Sequence, residues 1–88
     1  MTTKATSAVR PAPDASPETI AYTSVKGIPA VEPHDLDRLG YNVWRWLSVR
    51  KDSLEMAVRS AGARLLVSED EAIRQIRESL TQQGVSID

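Results

Sequence analysis

Residues 35–61, DLDRLGYNVWRWLSVRKDSLEMAVRSA, hold both tryptophans of the chain and its clearest helical spacing. On a helical wheel Trp46, Leu39, Val43, Leu36, Leu47 and Trp44 fall in one arc of about 160°, with Arg38, Arg45 and Asn42 opposite. A two-residue alternation fails, because Val43, Trp44, Trp46 and Leu47 break it. Asp35, after Pro33, reads as an N-cap, and Asp37 sits in the first turn, where the helix dipole favours an acid. The two tryptophans lie on opposite margins of the arc. A single neighbouring layer covers one margin fully and the other only in part. Trp46, beside Leu39 and Val43, is therefore expected in the core. Trp44, with Tyr41 and Arg45, is expected on a partner-binding surface; the alternative is that both rings are core.

A second helix is expected from near Lys51–Asp52. Leu54, Ala57, Val58 and Ala61 follow helical spacing, and Gly62 stands where a left-handed C-terminal cap belongs. Residues 48–52 between the two helices contain neither Gly nor Pro. They read as a turn, giving a helix-turn-helix-like corner, or alternatively as continuous helix. Farther on, Ser68 to Glu71 spells a capping box followed by acids, then Ile73, Ile76 and Leu80 form a narrow apolar stripe that Gly84 closes. Arg74 and Glu78 face each other one turn apart. So thin a stripe is stable only against the tryptophan helices.

Working outward, residues 1–18 are rich in Thr, Ser, Ala and Pro and read as a disordered tail, Pro11, Pro13 and Pro17 opposing a helix. Residues 19–25, TIAYTSV, are β-branched and aromatic, and read as a short strand or an extended arm, with 85–87 as its one candidate pairing partner. Residues 26–34 read as a linker. The expected architecture is all-α: a small three-helix, helix-turn-helix-like domain over residues 35–84, preceded by an arm or linker over 19–34.

Eighty-eight residues allow one small domain. With no cysteine, disulfides and thiolate metal sites are excluded, and packing or association must supply stability. The opening MTTKATSAVRPAPDASP lacks the apolar run of a secretory signal, and no stretch is long enough to span a bilayer, so a cytoplasmic protein away from membranes is expected. The net charge of −1 hides an asymmetry. Residues 38–64 carry Arg38, Arg45, Arg50, Lys51, Arg59 and Arg64 against Asp52 and Glu55, whereas residues 65–88 carry five acids against Arg74 and Arg77. Either neighbouring helices neutralise each other, or a basic face awaits a partner.

Nothing in the chain converges on catalysis. His34 is the one histidine, and no second His or Cys joins it in a metal site or a catalytic pair. Asp35 and Asp37 point to different sides of a helix, and the glycines are scattered rather than grouped in a phosphate loop. No cofactor and no enzymatic activity are expected. At Tyr41-Asn-Val-Trp44 and Leu54-Glu-Met-Ala57-Val58-Arg-Ser-Ala-Gly62 the chain resembles family 3606 of the domains of unknown function, short bacterial proteins. The Leu54, Ala57, Val58, Gly62 spacing matches that pattern, whereas the tryptophan positions depart from it and Arg50 replaces the small residue before the second helix. The resemblance covers residues 41–80 at most and implies a bacterial source and a helical module, with no activity attached.

Two functions follow as expectations. The first is a regulatory or protein-interaction module that binds a partner protein, or itself as a homodimer, through Tyr41, Trp44 and Arg45. The second is a nucleic-acid-binding module offering Arg50, Lys51, Arg59 and Arg64 to phosphates. The acidic last helix weighs against the second, because salt-dependent binding needs several unpaired cations.

Overall fold

The computed structural model describes residues 16–87. Of the tail expected over 1–18, residues 1–15 lie outside the described residues, and 16–18 are a correction, since they cap and open a helix. These form four α-helices: α1 (Pro17–Val25), α2 (Pro33–Val49), α3 (Leu54–Arg59) and α4 (Glu69–Gln82). The all-α class holds, with one helix more than the three expected.

The extra helix is a correction. Residues 19–25 are helical, neither strand nor extended arm, and no pairing with 85–87 occurs. Ser16 is the N-cap, its hydroxyl accepting the Thr19 N–H at 3.2 Å, and Pro17 occupies the first turn. Proline is favoured there, since its missing N–H would have had no helical partner. A residue that breaks a helix interior thus starts this one. Ala21, Ser24 and Val25 form the buried face, and the Ser24 hydroxyl donates to the Ala21 carbonyl at 2.7 Å, so no buried polar group is orphaned.

Helix α2 begins earlier than expected. Glu32 is the N-cap, and Asp35 is the third helical residue, its carboxylate accepting the Glu32 N–H at 3.0 Å. The helix ends at Val49, and the turn over 50–53 is real. Arg50 takes the left-handed conformation (φ 57°) without being glycine, its N–H bonded to the Trp46 carbonyl at 2.7 Å. Ser53 then caps α3, accepting the Met56 N–H at 3.2 Å, so this helix starts later than expected and is only six residues long. Gly62 (φ 71°) and Gly84 (φ 88°) adopt the left-handed backbone expected of them. Ser68 caps α4 through the Glu71 N–H at 3.1 Å. The Glu71 carboxylate, by contrast, turns to Arg74 and Gln75, so the box is built from the serine side.

The core is one cluster drawn from all four helices. Leu39, Val43 and Trp46 come from α2, Leu54, Ala57 and Val58 from α3, and Ala72, Ile73, Ile76 and Leu80 from α4. Ala21, Val25 and Ile28 complete it from α1 and the connector beyond. Leu36 and Leu47 pack against this cluster while remaining partly exposed. α1 lies against both α2 and α4, and α3 also packs on α4, so the thin stripe of α4 is covered from two directions. The connectors that lead into α2 and α4 meet in a single antiparallel bridge, Ala30 to Leu65. Val31 N–H donates to Arg64 O at 3.0 Å and Leu66 N–H to Pro29 O at 2.9 Å.

Close approach of α1 to α2 needs a glycine at one position. A Cβ built on Gly40 would stand 2.5 Å from two carbons of the Tyr22 ring. Gly40→Ala gains about 1 kcal/mol of helix propensity and loses about 1–3 kcal/mol to the clash, so the variant should melt lower than the wild type. Adding Tyr22→Ala should recover about 1 kcal/mol relative to the sum of the two single changes in a double-mutant cycle followed by urea denaturation. A Gly40→Ala protein that melts higher would mean that propensity governs and the contact is slack.

Candidate functional site

The sequence offered two sets of site residues, and the fold treats them differently. Tyr41, Trp44 and Arg45 come together on the outer side of α2. Tyr41 is 47% exposed, among the few large apolar side chains so exposed, and its ring centroid lies 5.4 Å from that of Trp44 at an interplanar angle of 53°. The Arg45 guanidinium stands 5.9 Å above the Tyr41 ring. Trp44 is partly buried against the core, and Trp46 is 6% exposed and part of it. The Tyr22 hydroxyl, on α1 behind this group, is held above its ordinary pKa, first by burial and then by the charges of Asp37 and Glu18 and by Tyr41.

The second set is largely consumed by the fold. Arg59 pairs with Glu69 at 3.0 Å and Asp70 at 2.7 Å. Arg50 lies over the Trp46 ring at 4.4 Å and donates to the carbonyls of Ser86 (2.7 Å) and Ile87 (3.3 Å), clamping the C-terminal segment onto the end of α2. Arg64 is bound to Asp35. Of the four, Arg50 and Lys51 make no ion pair among the described residues, and Arg50 is engaged by backbone carbonyls instead. Elsewhere Arg77 meets Glu55 at 2.9 Å and Arg74 meets Glu71 at 2.6 Å. The bond from Arg74, helped by Gln75, pulls the Glu71 carboxyl down to about 2. Neighbouring helices do neutralise each other, as the charge asymmetry allowed.

Once these pairs are removed, a pattern remains that the sequence alone does not show. The cations without a carboxylate partner among the described residues are Lys26, Arg38, Arg45, Arg50 and Lys51, and of these Arg50 is bound to backbone carbonyls. Of the other four, Arg38, Arg45 and Lys51 lie on α2 and the turn that follows it. Beside Arg45 and Lys51 a half-open cleft of about 180 Å³ separates α2 from α3. Its apolar surface comes from Trp46, Val49 and Ala57. Trp46 is oriented there by its indole N–H, which donates to the Asp52 carbonyl at 2.6 Å, and Asn42 ties the two helices by donating to the Ala57 carbonyl at 3.0 Å. Val49 was missed from sequence. Its signal is an apolar side chain lying outside the apolar arc of α2, and it is 54% exposed.

Among the described residues, no three His, Cys, Asp or Glu side chains group to hold a metal ion, and no helix is long and apolar enough to cross a membrane. His34, on the first turn of α2, is exposed, with Nε2 3.4 Å from an Arg64 nitrogen.

Among the described residues Asp35 is the one carboxylate that the fold buries, at 1% exposure. Burial alone would raise its pKa, but it is outweighed by bonds from the Arg64 backbone N–H (3.2 Å) and side chain (3.4 Å) and from the Glu32 N–H, so the net shift is downward from 3.8. A depressed carboxyl contributes stability that is present above its unfolded pKa and is lost as pH falls through the folded one. Asp35→Asn should therefore lower the melting temperature at pH 7. The gap from wild type should narrow as pH drops below 3.8, toward the lowered folded value. A gap that stays constant between pH 7 and pH 2, measured by thermal denaturation, would exclude this role for the charge. Compared with known proteins, the chain matches no family model, no curated protein and no solved structure, so what it does rests on its own geometry.

Proposed function

We propose that this chain is a small, non-enzymatic interaction module, regulatory in character, whose binding face is the outer side of α2. The observation that carries the reading is the aromatic group Tyr41–Trp44 with Arg45 above it. Aromatic rings with an arginine are the side chains that most often anchor protein interfaces, because they bury much area at little conformational cost. A half-exposed tyrosine on a helix face, with a tilted tryptophan ring beside it and a guanidinium over it, is already held in one place. Little ordering entropy then remains to be lost on binding. The occupant is a partner protein or a second copy of the chain. Nucleic acid is the weaker candidate. Arg50, Arg59 and Arg64 are engaged within the fold, which leaves too few cations in line for phosphate binding.

Tyr41→Ala should fold normally, changing stability by about 0.5 kcal/mol or less, as exposed substitutions do. It should weaken association by about 2 kcal/mol, the cost of losing an interface anchor, read as dimer dissociation by sedimentation equilibrium or as partner affinity in solution. Trp44→Ala should behave likewise with a larger stability loss, since that ring is partly buried. Trp46→Ala should cost about 3–5 kcal/mol and unfold a domain of this size. Should Tyr41→Ala and Trp44→Ala both unfold the chain, or should neither alter association, the aromatic face is only the edge of the core.

A further inference from the structure

The interaction face has a chemistry of its own, and it names a class of partner. Arg59, Arg64, Arg74 and Arg77 pair with carboxylates within the fold, and Arg50, at the end of α2, is bound to the carbonyls of Ser86 and Ile87. The unpaired cations concentrate instead on α2 and its turn. A folded chain of net charge −1 that leaves three cations together on one side has kept a local positive field there. Where Arg45 and Lys51 stand, the surface also falls into the cleft between α2 and α3. That cleft is too small for a cofactor, whose pockets run to about 300–1,000 Å³. Its size is that of a cavity of about 150 Å³ that holds one benzene-sized group, which is the bulk of one aliphatic side chain. The cleft does not close by itself. Asn42 and Trp46 are locked to backbone carbonyls of Ala57 and Asp52, so its walls are set before anything binds.

We propose that this cleft is the docking site for an acidic peptide segment of a partner protein. One aliphatic side chain enters against Trp46, Val49 and Ala57, and carboxylates on either side of it meet Arg45 and Lys51. The inference rests on the reading of α2 as the binding face and supplies its partner chemistry. Charge complementarity selects the acidic partner, and the apolar walls select a peptide over a nucleic acid, whose phosphates would leave Val49 and Ala57 uncovered. Arg45 joins the cleft to the Tyr41–Trp44 group, so one bound segment can touch both. The single acid in the lining, Asp52, has its backbone carbonyl taken by Trp46 and its carboxylate in no ion pair among the described residues. Its charge disfavours a second carboxylate close by and so helps fix the register of the segment.

The test is a selection of random heptapeptides displayed on phage against the full chain, followed by anisotropy with fluorescein-labelled copies of the enriched sequences. Expected are peptides with Asp or Glu flanking a Leu, Ile, Val or Met. Arg45→Glu, Lys51→Glu and Val49→Glu should each weaken binding about tenfold or more, whereas Lys26→Glu, away from the cleft, should leave it unchanged. Circular dichroism confirms that each variant is folded, as their exposed positions imply. Enriched peptides without acids, binding indifferent to Arg45→Glu and Lys51→Glu, or no enrichment at all would overturn the proposal. If binding is instead lost in Tyr41→Ala and Trp44→Ala alone, the acidic partner falls and the aromatic interaction face stands. A labelled DNA duplex is run in parallel. Duplex binding that the two charge reversals abolish, in the absence of peptide binding, overturns the proposal in favour of nucleic acid.

Discussion

A carboxylate withdrawn from water is tolerated only when its oxygens are bonded, and Asp35 is bonded from two distant parts of the chain. It accepts from Glu32, just before α2, and from Arg64, 29 residues later in the connector to α4. The Arg64 guanidinium adds an ion pair at 3.3 Å. Alongside, the Ala30–Leu65 bridge supplies two backbone hydrogen bonds between the same connectors. Together they fix where α2 starts relative to the segment that leads into α4. In so small a domain this matters more than its size suggests. The apolar stripe of α4 is narrow, and Ile73, Ile76 and Leu80 are buried against α1 and α3, both of which pack on α2 and take their places from it.

That rotation also decides what α2 shows to solvent. With Leu39, Val43 and Trp46 turned inward, Tyr41, Arg45 and Val49 must face out. The 3.6-residue period leaves no other choice. The same packing sets the charges. Arg59 reaches the acids that open α4, and Arg77 reaches Glu55 on α3, so the facing surfaces of α3 and α4 are neutralised. Among the described residues no acidic element packs over the outer side of α2, and its cations Arg38 and Arg45 make no ion pair. Such exposed pairs add little to stability individually. Their larger consequence is the contrast between a neutralised side and a cationic one.

The helix α1 shows where reading by composition goes astray. Its β-branched and aromatic content suggests an extended segment, but the preferences involved amount to about 1 kcal/mol per residue or less. Burial of Ala21 and Val25 and the seating of Tyr22 on Gly40 outweigh that. A local signal did exist: serine, then proline, then an acid, at Ser16, Pro17 and Glu18, is the start of a helix. The turn after α2 is a similar case. With no Gly or Pro, its sequence leaves turn and continuous helix open. The left-handed Arg50 is held by the Trp46 carbonyl on one side and by the C-terminal segment on the other.

What the sequence determined by itself is everything governed by neighbours within a few residues. The apolar faces of α2 and α4, the cap at Ser68, the left-handed Gly62 and Gly84, and the grouping of Tyr41, Trp44 and Arg45 on one helix face all follow from helical spacing and local hydrogen bonds. Only the tertiary structure decided which cations are free. Arg50, Arg59 and Arg64 look no different from Arg38, Arg45 and Lys51 along the chain, and their partners lie 10 to 37 residues away. The cleft between α2 and α3 is likewise made by the angle at which two helices meet. Local spacing carries no information about that angle, because it comes from the packing of the whole core.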